Sequence, residues 1–146
     1  MPEMTYLEAI RDALLVEMRR DDRVFVIGED IGTYGGAFGI TKGFLEEFGP
    51  WRVIDGPLAE TANVGAGIGA AVMGMRPVVE MQFGDFVTDA MTQVANVAAK
   101  YHWRTRMPLP LVIRMPYGGD VKGGPFHSQC MEAWFVHTPG LKVVVP

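Results

Sequence analysis

The sequence predicts an α/β fold, a three-layer α/β/α arrangement on a mostly parallel sheet. Short runs of apolar, β-branched residues recur along the chain, as strands covered on both faces do. They alternate with stretches of helical periodicity, which is the order a parallel sheet requires. The longest glycine-bearing loops, EDIGTYGGAFG at 29–39 and MPYGGDVKGGPFH at 115–127, both follow the carboxyl end of a strand. Ligands bind at that edge of open α/β sheets, so the site is expected there.

The elements follow in order. Thr5 and Glu8 have the spacing of a capping box, and Leu7, Ile10, Leu14, Leu15 and Met18 then recur on one helical face, predicting a helix over 5–20. VFVIG at 24–28 predicts a buried strand, and WRVID (51–55), RPVVEMQF (76–83), PLVIRM (110–115) and LKVVVP (141–146) are of the same kind. Helices are expected between them at 41–48, 60–74, 85–100 and 129–136. No internal repeat, low-complexity segment or linker interrupts the pattern, so residues 1–146 are expected to form one domain. The last predicted strand has no helix after it, and the expectation is of an α/β domain cut short there.

Composition narrows the function. The chain has 146 residues, of which 49% are hydrophobic and 21% charged, enough to bury a core. A net charge of −4 without any cluster of Lys and Arg argues against nucleic acid or an anionic membrane surface as partner. The longest uncharged run, Thr61 to Met75, is glycine-rich and shorter than the roughly 18 to 20 apolar residues of a membrane span. One cysteine, Cys130, suits a reducing compartment, and the N-terminus lacks the pattern of an export signal, so a cytoplasmic location is expected.

Gly65-Ala66-Gly67-Ile68-Gly69-Ala70 matches the letters of a dinucleotide fingerprint. Such a fingerprint must form the tight turn between strand and helix, with the helix N-terminus aimed at a pyrophosphate. Here Asp55, Gly56 and Pro57 already make the turn, so Gly65 falls inside the helix. The economical reading is a small-residue helix face, Gly65 and Gly69 at i and i+4, against which another element packs closely. Glu60 stands in the first turn of the same helix, either as a partner of the helix dipole or as a functional acid. Glu80, within an apolar strand, is either a ribose ligand under the dinucleotide reading or a paired structural acid.

Of the three histidines, His127 closes the second glycine-bearing loop and is the catalytic candidate, whereas His102 and His137 lie near helix ends. A zinc site of His127, Cys130 and His137 would lack a fourth ligand. A Cys130 nucleophile with His127 as its base is sterically possible, but a lone apolar-flanked cysteine has an ordinary core reading.

GEDIGTYGGAFGITKGFLEEFG, VIDGPLAETANVGAGIGAAVMGMRPVVEMQFGDF and HSQCMEAWFVHTPGLKVVVP, in that order, resemble the β subunit of the thiamine-diphosphate-dependent decarboxylating component of 2-oxo acid dehydrogenase complexes, including the pyruvate, branched-chain and acetoin types. The resemblance runs through essentially the whole chain. It implies the pyrimidine-binding, transketolase-like domain of such a subunit, incomplete at its C-terminus and without the C-terminal domain. It further implies that Glu60 contacts N1′ of the aminopyrimidine, that Leu58, Gln82 and Phe86 line the same ring, and that His127 reaches the active site to assist acyl transfer to lipoyl. Glu29 matches an acid of a proton relay.

Several partners come with the resemblance. No pattern for Mg2+ and diphosphate is present, so the metal would be held by a separate α subunit in an α2β2 assembly, and this chain would supply no metal ligand. A monovalent cation is held by backbone carbonyls in many family members. A lipoyl-bearing acyltransferase and a 2-oxo acid complete the set, and the isolated fragment is expected to be inactive. Gly56 departs from the family, which has a threonine after the strand aspartate, and the segment YHWRTRMPLP is shorter than usual. Two other readings remain: a Rossmann-type dinucleotide-binding module using Gly65, Gly67 and Glu80, and a non-catalytic interaction domain.

Overall fold

A computed structural model describes residues 3–146. The elements run α1 (Tyr6–Arg20), β1 (Val24–Gly28), α2 (Phe44–Phe48), β2 (Val53–Asp55), α3 (Glu60–Val72) and β3 (Arg76–Glu80). A 3-10 turn at Gly84–Thr88 and a π-helical stretch at Thr92–Ala98 lead into α4 (Ala99–Thr105). Then follow β4 (Val112–Arg114), short 3-10 turns at Gly119–Val121 and Gly124–Phe126, and α5 (Glu132–Val136). The four strands form one parallel sheet in the order β2-β1-β3-β4.

Alternation along the strands divides the interior into two cores. Val24 and Val26 of β1 and Val78 of β3 join Met18 of α1, Phe44 of α2, Ile31 and Val53 on one face. Phe25, Ile27 and Val79 join Val64 and Ile68 of α3, Val87, Val94 and Phe135 on the other. The period of two in a strand sends neighbouring residues to opposite faces, so β1 is apolar throughout because both faces are covered. The fold is therefore the expected three-layer α/β/α arrangement. Among the described residues no helix is long and apolar enough to cross a membrane.

The ends of the elements are set by side chains and loops. Thr5 caps α1 through the expected capping box, its hydroxyl accepting from the Glu8 amide at 3.2 Å while Glu8 accepts from the Thr5 amide at 2.7 Å. Arg52 ties the end of α1 to the start of β1, donating to the carbonyls of Met18 at 2.6 Å, Asp21 at 3.0 Å and Val24 at 2.6 Å. These carbonyls include ones a helix end leaves without partners.

Several expected boundaries move. The helix expected from 41 starts at Phe44, because Gly43 is left-handed at φ 82° and the Thr41 hydroxyl is engaged with the Ile31 carbonyl at 2.6 Å. The single helix expected over 85–100 divides into the 3-10 turn, the π-helical stretch and α4, a wider winding that keeps Val94, Val97 and Ala98 on the same core. The helix expected from 129 begins at Glu132, since the Gln129 amide is drawn to Asp85 instead. The run LKVVVP at 141–146 forms no strand. Leu141 and Val143 pack against the core while Lys142 and Val144 are exposed, but Val145 is exposed as well, so the alternation stops at 144, and no neighbouring strand pairs with the run among the described residues.

Candidate active site

Four strand ends converge on one cleft. β1 delivers Glu29 just beyond Gly28, and β2 ends at Asp55, after which the turn Gly56-Pro57-Leu58-Ala59 places Glu60 as the first residue of α3. The segment after β3 carries Gln82, Phe83 and, on the 3-10 turn, Phe86. The loop after β4 carries His127. Glu29, Leu58, Glu60, Gln82, Phe83, Phe86, Thr88, Asp89 and His127 line a cleft of 370 Å³ at the carboxyl edge of the sheet. The fold thus brings Glu29, Leu58, Glu60, Gln82, Phe86 and His127 to one place, from segments spread across most of the chain.

Each group has a distinct setting. Glu29 is half-buried, and that burial, with the charges of Glu60 and Asp30, pushes its carboxyl above the ordinary carboxylate value. The Glu60 carboxylate makes no hydrogen bond among the described residues and faces the cleft beside Gln82, whose amide donates to Asp30 Oδ2 at 3.0 Å. Leu58 is 78% exposed and forms an apolar wall. The His127 ring lies edge-on to Phe83, with centroids 4.9 Å apart, and to Phe86 at 5.3 Å, an arrangement that aromatic quadrupoles favour.

Phe83, Thr88 and Asp89 also line the cleft and were not among the expected site residues. Asp89 acts as a cap from another element: its Oδ2 accepts the Thr61 amide at 3.0 Å and its carbonyl accepts the Thr61 hydroxyl at 2.8 Å. Ala59 at the N-cap has no side chain to perform that task, so α3 borrows a carboxylate from across the cleft. The lack of a capping residue before Glu60 was the one available signal.

Other readings are corrected. Glu80 is a structural acid, with Arg114 opposite it in the β3–β4 register donating through Nε at 2.7 Å and through a second guanidinium nitrogen. It lies in the sheet, outside the residues of the cleft, and is no ribose ligand. Of the α3 glycines, Gly67 meets the sheet: a Cβ there would lie 2.6 Å from Val79 Cγ2. Gly65 and Gly69 meet no closely packed element of this chain, with nothing closer than 3.9 Å and nothing within 4 Å, so within the chain the close contact of α3 is made at Gly67. All three glycines lie within α3 rather than in the turn before it, which leaves no phosphate loop of the dinucleotide type.

His102 is engaged with the Met107 carbonyl at 3.1 Å, and His137 follows α5 beside Trp134 and Met91. Cys130 is exposed. Among the described residues no group of three or more His, Cys, Asp and Glu side chains is placed to hold a metal, so the zinc grouping of His127, Cys130 and His137 does not assemble.

The carboxyl edge of the parallel sheet thus gathers an acid without a hydrogen-bond partner among the described residues, an amide, aromatic rings and a histidine in one cleft. The chain belongs to the family described as transketolase, pyrimidine binding domain, whose model matches residues 2–146. Among curated relatives it is 52% identical to the 2-oxoisovalerate dehydrogenase subunit beta of Bacillus subtilis (strain 168), over 100% of this chain and 45% of that protein. It is 46% identical to the pyruvate dehydrogenase E1 component subunit beta of Rhizobium meliloti (strain 1021), over 100% of this chain and 32% of the relative. The mitochondrial pyruvate dehydrogenase E1 component subunit beta-1 of Oryza sativa subsp. japonica is 44% identical over 99% of this chain and 39% of its own length. The chain therefore spans less than half the length of these relatives.

Proposed function

We propose that this chain is the pyrimidine-binding part of a β subunit that, with an α subunit, decarboxylates a 2-oxo acid through thiamine diphosphate and passes the acyl group to a lipoyl-bearing acyltransferase. The observation that carries the reading is the convergence of Glu60, Gln82, Leu58, Phe86 and His127 in one cleft. These residues fit an aminopyrimidine. Phe86 and Leu58 offer apolar surface to a flat ring, Gln82 is a neutral polar neighbour, and Glu60 has a carboxylate whose hydrogen-bonding capacity is unspent.

The chain's own residues supply binding and proton control. Glu60 holds the proton at N1′, which favours the imino form of the ring. Glu29, its carboxyl pushed up by burial and by the nearby acids, is suited to hold a proton beside Glu60 and to serve as a relay. His127, its ring nearly perpendicular to those of Phe83 and Phe86, would orient the acyl group and offer it a proton donor on its way to lipoyl. When bound, thiamine diphosphate supplies the carbanion chemistry that no side chain here can supply.

The rest of the assembly belongs to the same reading. Mg2+ and the diphosphate would be held by the α subunit, the assembly would be α2β2, and a monovalent cation would bind in the full-length chain. The identity to proteins named beta subunits supports the partner α subunit. Residues 1–146 are read as the pyrimidine-binding domain, with a C-terminal domain supplied by the longer subunit, and the fraction of the relatives spanned supports this. The cytoplasm is the proposed location, in keeping with one exposed free cysteine.

The test is co-expression of the full-length chain with its α partner and a screen of 2-oxo acids. E60Q is expected to lower decarboxylation by about 10² to 10⁴-fold while the complex still assembles. Activity that survives the substitution removes Glu60 from N1′.

A further inference from the structure

One acid beside the cleft has no place in that chemistry. Asp85 is 5% exposed, and its Oδ1 accepts two hydrogen bonds from a single residue, from Gln129 Nε2 at 2.8 Å and from the Gln129 backbone amide at 3.3 Å. Its Oδ2 is buried without a partner among the described residues. A buried oxygen left unpaired is costly, so the residue has a use that outweighs the cost.

The 3-10 turn that bears Asp85 grips the His127 loop at both ends. At the near end the Gly84 amide donates to the Pro116 carbonyl at 2.7 Å, and the turn lies so flush that a Cβ on Gly84 would sit 3.0 Å from the Tyr117 Cβ. At the far end Asp85 holds Gln129, two residues beyond His127. The next residue on the turn, Phe86, sends its ring into the cleft, where it meets the His127 ring with centroids 5.3 Å apart. Between these anchors residues 119–126 are exposed, with only the turns of the loop itself to hold their shape.

We propose that Asp85 is the positioning residue for His127, acting through Gln129 to hold the loop that carries the histidine against Phe83 and Phe86. The proposal rests on the reading of the cleft given above. Asp85 itself touches no reacting atom. It fixes where the imidazole sits, and small displacements of a catalytic group carry large losses of rate.

The test uses the full-length chain with its α partner. Backbone hydrogen exchange over 115–131 and the kcat and KM for the 2-oxo acid are measured for D85A, D85N, H127A and D85A/H127A. D85A is expected to raise exchange through 118–129 and to lower kcat by about 10-fold or more with KM within about 3-fold. D85N keeps an oxygen acceptor for Gln129 and is expected to stay within about 3-fold of the parent. In the H127A background D85A is expected to add less than about 2-fold, because residues that act through one another are not additive. The proposal is overturned by unchanged loop exchange, by D85N as impaired as D85A, or by an equal loss in both backgrounds. Should D85A fail to fold, Q129L removes the side-chain half of the contact from an exposed position, and an unchanged kcat with unchanged exchange overturns the proposal equally. A parent complex that consumes no 2-oxo acid overturns the reading of the cleft, while the exchange measurement still decides the role of Asp85.

Discussion

At the scale of single residues, the acids at the cleft oppose one another. Burial and the charges of Glu60 and Asp30 raise the Glu29 carboxyl above its unfolded value, so the folded protein binds this proton more tightly than the unfolded chain does. Ionised Glu29 therefore destabilises the fold, and the cost disappears as the pH falls below about 4.3, where both states are protonated. E29Q is expected to raise Tm at pH 7 and to have no effect on it near pH 3.5, which a thermal melt at the two values checks.

Gly56 and Asn63 form a second residue-scale pair. A Cβ on Gly56 would lie 2.0 Å from Asn63 Oδ1, and the buried Asn63 donates to the Pro57 carbonyl at 3.0 Å, shaping the turn before Glu60. The glycine that departs from the family's threonine is thus matched to an asparagine seven positions on. G56T is expected to cost about 1 to 3 kcal/mol by overpacking, with much of it recovered in G56T/N63A, as read from urea midpoints.

At the scale of elements, the most exacting contact joins β3 to β4. Arg114 and Glu80 are paired across the register, with side chains 18% and 5% exposed. R114M leaves a buried carboxylate without its partner and is expected to cost about 3 to 5 kcal/mol, whereas R114M/E80M should recover most of that stability. Equilibrium unfolding of the three proteins checks this.

The elements also show what a sequence can and cannot reveal. β1 was legible because five apolar residues between turns are enough to indicate a strand with two covered faces, and Glu60 was legible because the turn before it fixed where α3 must start. Arg114 with Glu80, Asp89 with Thr61 and Asp85 with Gln129 were not, because each pair is 28 or more residues apart and meets only once the sheet exists. The run at 141–146 fails for the converse reason. Its local pattern is that of a strand, but a strand is completed by a neighbour, which no local pattern supplies.

At the scale of the whole molecule, the cleft is a product of the sheet. Its lining comes from the ends of all four strands, so ligand binding should report on the integrity of the entire domain. A ligand at 100 times its Kd stabilises the native state by about 2.7 kcal/mol. In the full-length complex with the α partner, thiamine diphosphate with Mg2+ is expected to raise Tm by several degrees and NAD to leave it unchanged, measured by differential scanning fluorimetry. Stabilisation by NAD alone would return the dinucleotide reading.

The strand order β2-β1-β3-β4 has a consequence for biosynthesis. β1 pairs on one edge with β2, Val26 against Val53, and on the other with β3, Val24 against Arg76. It is therefore translated before either neighbour exists, and Val24–Gly28 waits with both hydrogen-bonding edges open until Asp55 has been added and with one edge open until Glu80 has been added. At the usual rate of about 5 to 20 residues per second this interval lasts several seconds. During it the future centre of the sheet is the segment of the nascent chain most in need of a chaperone.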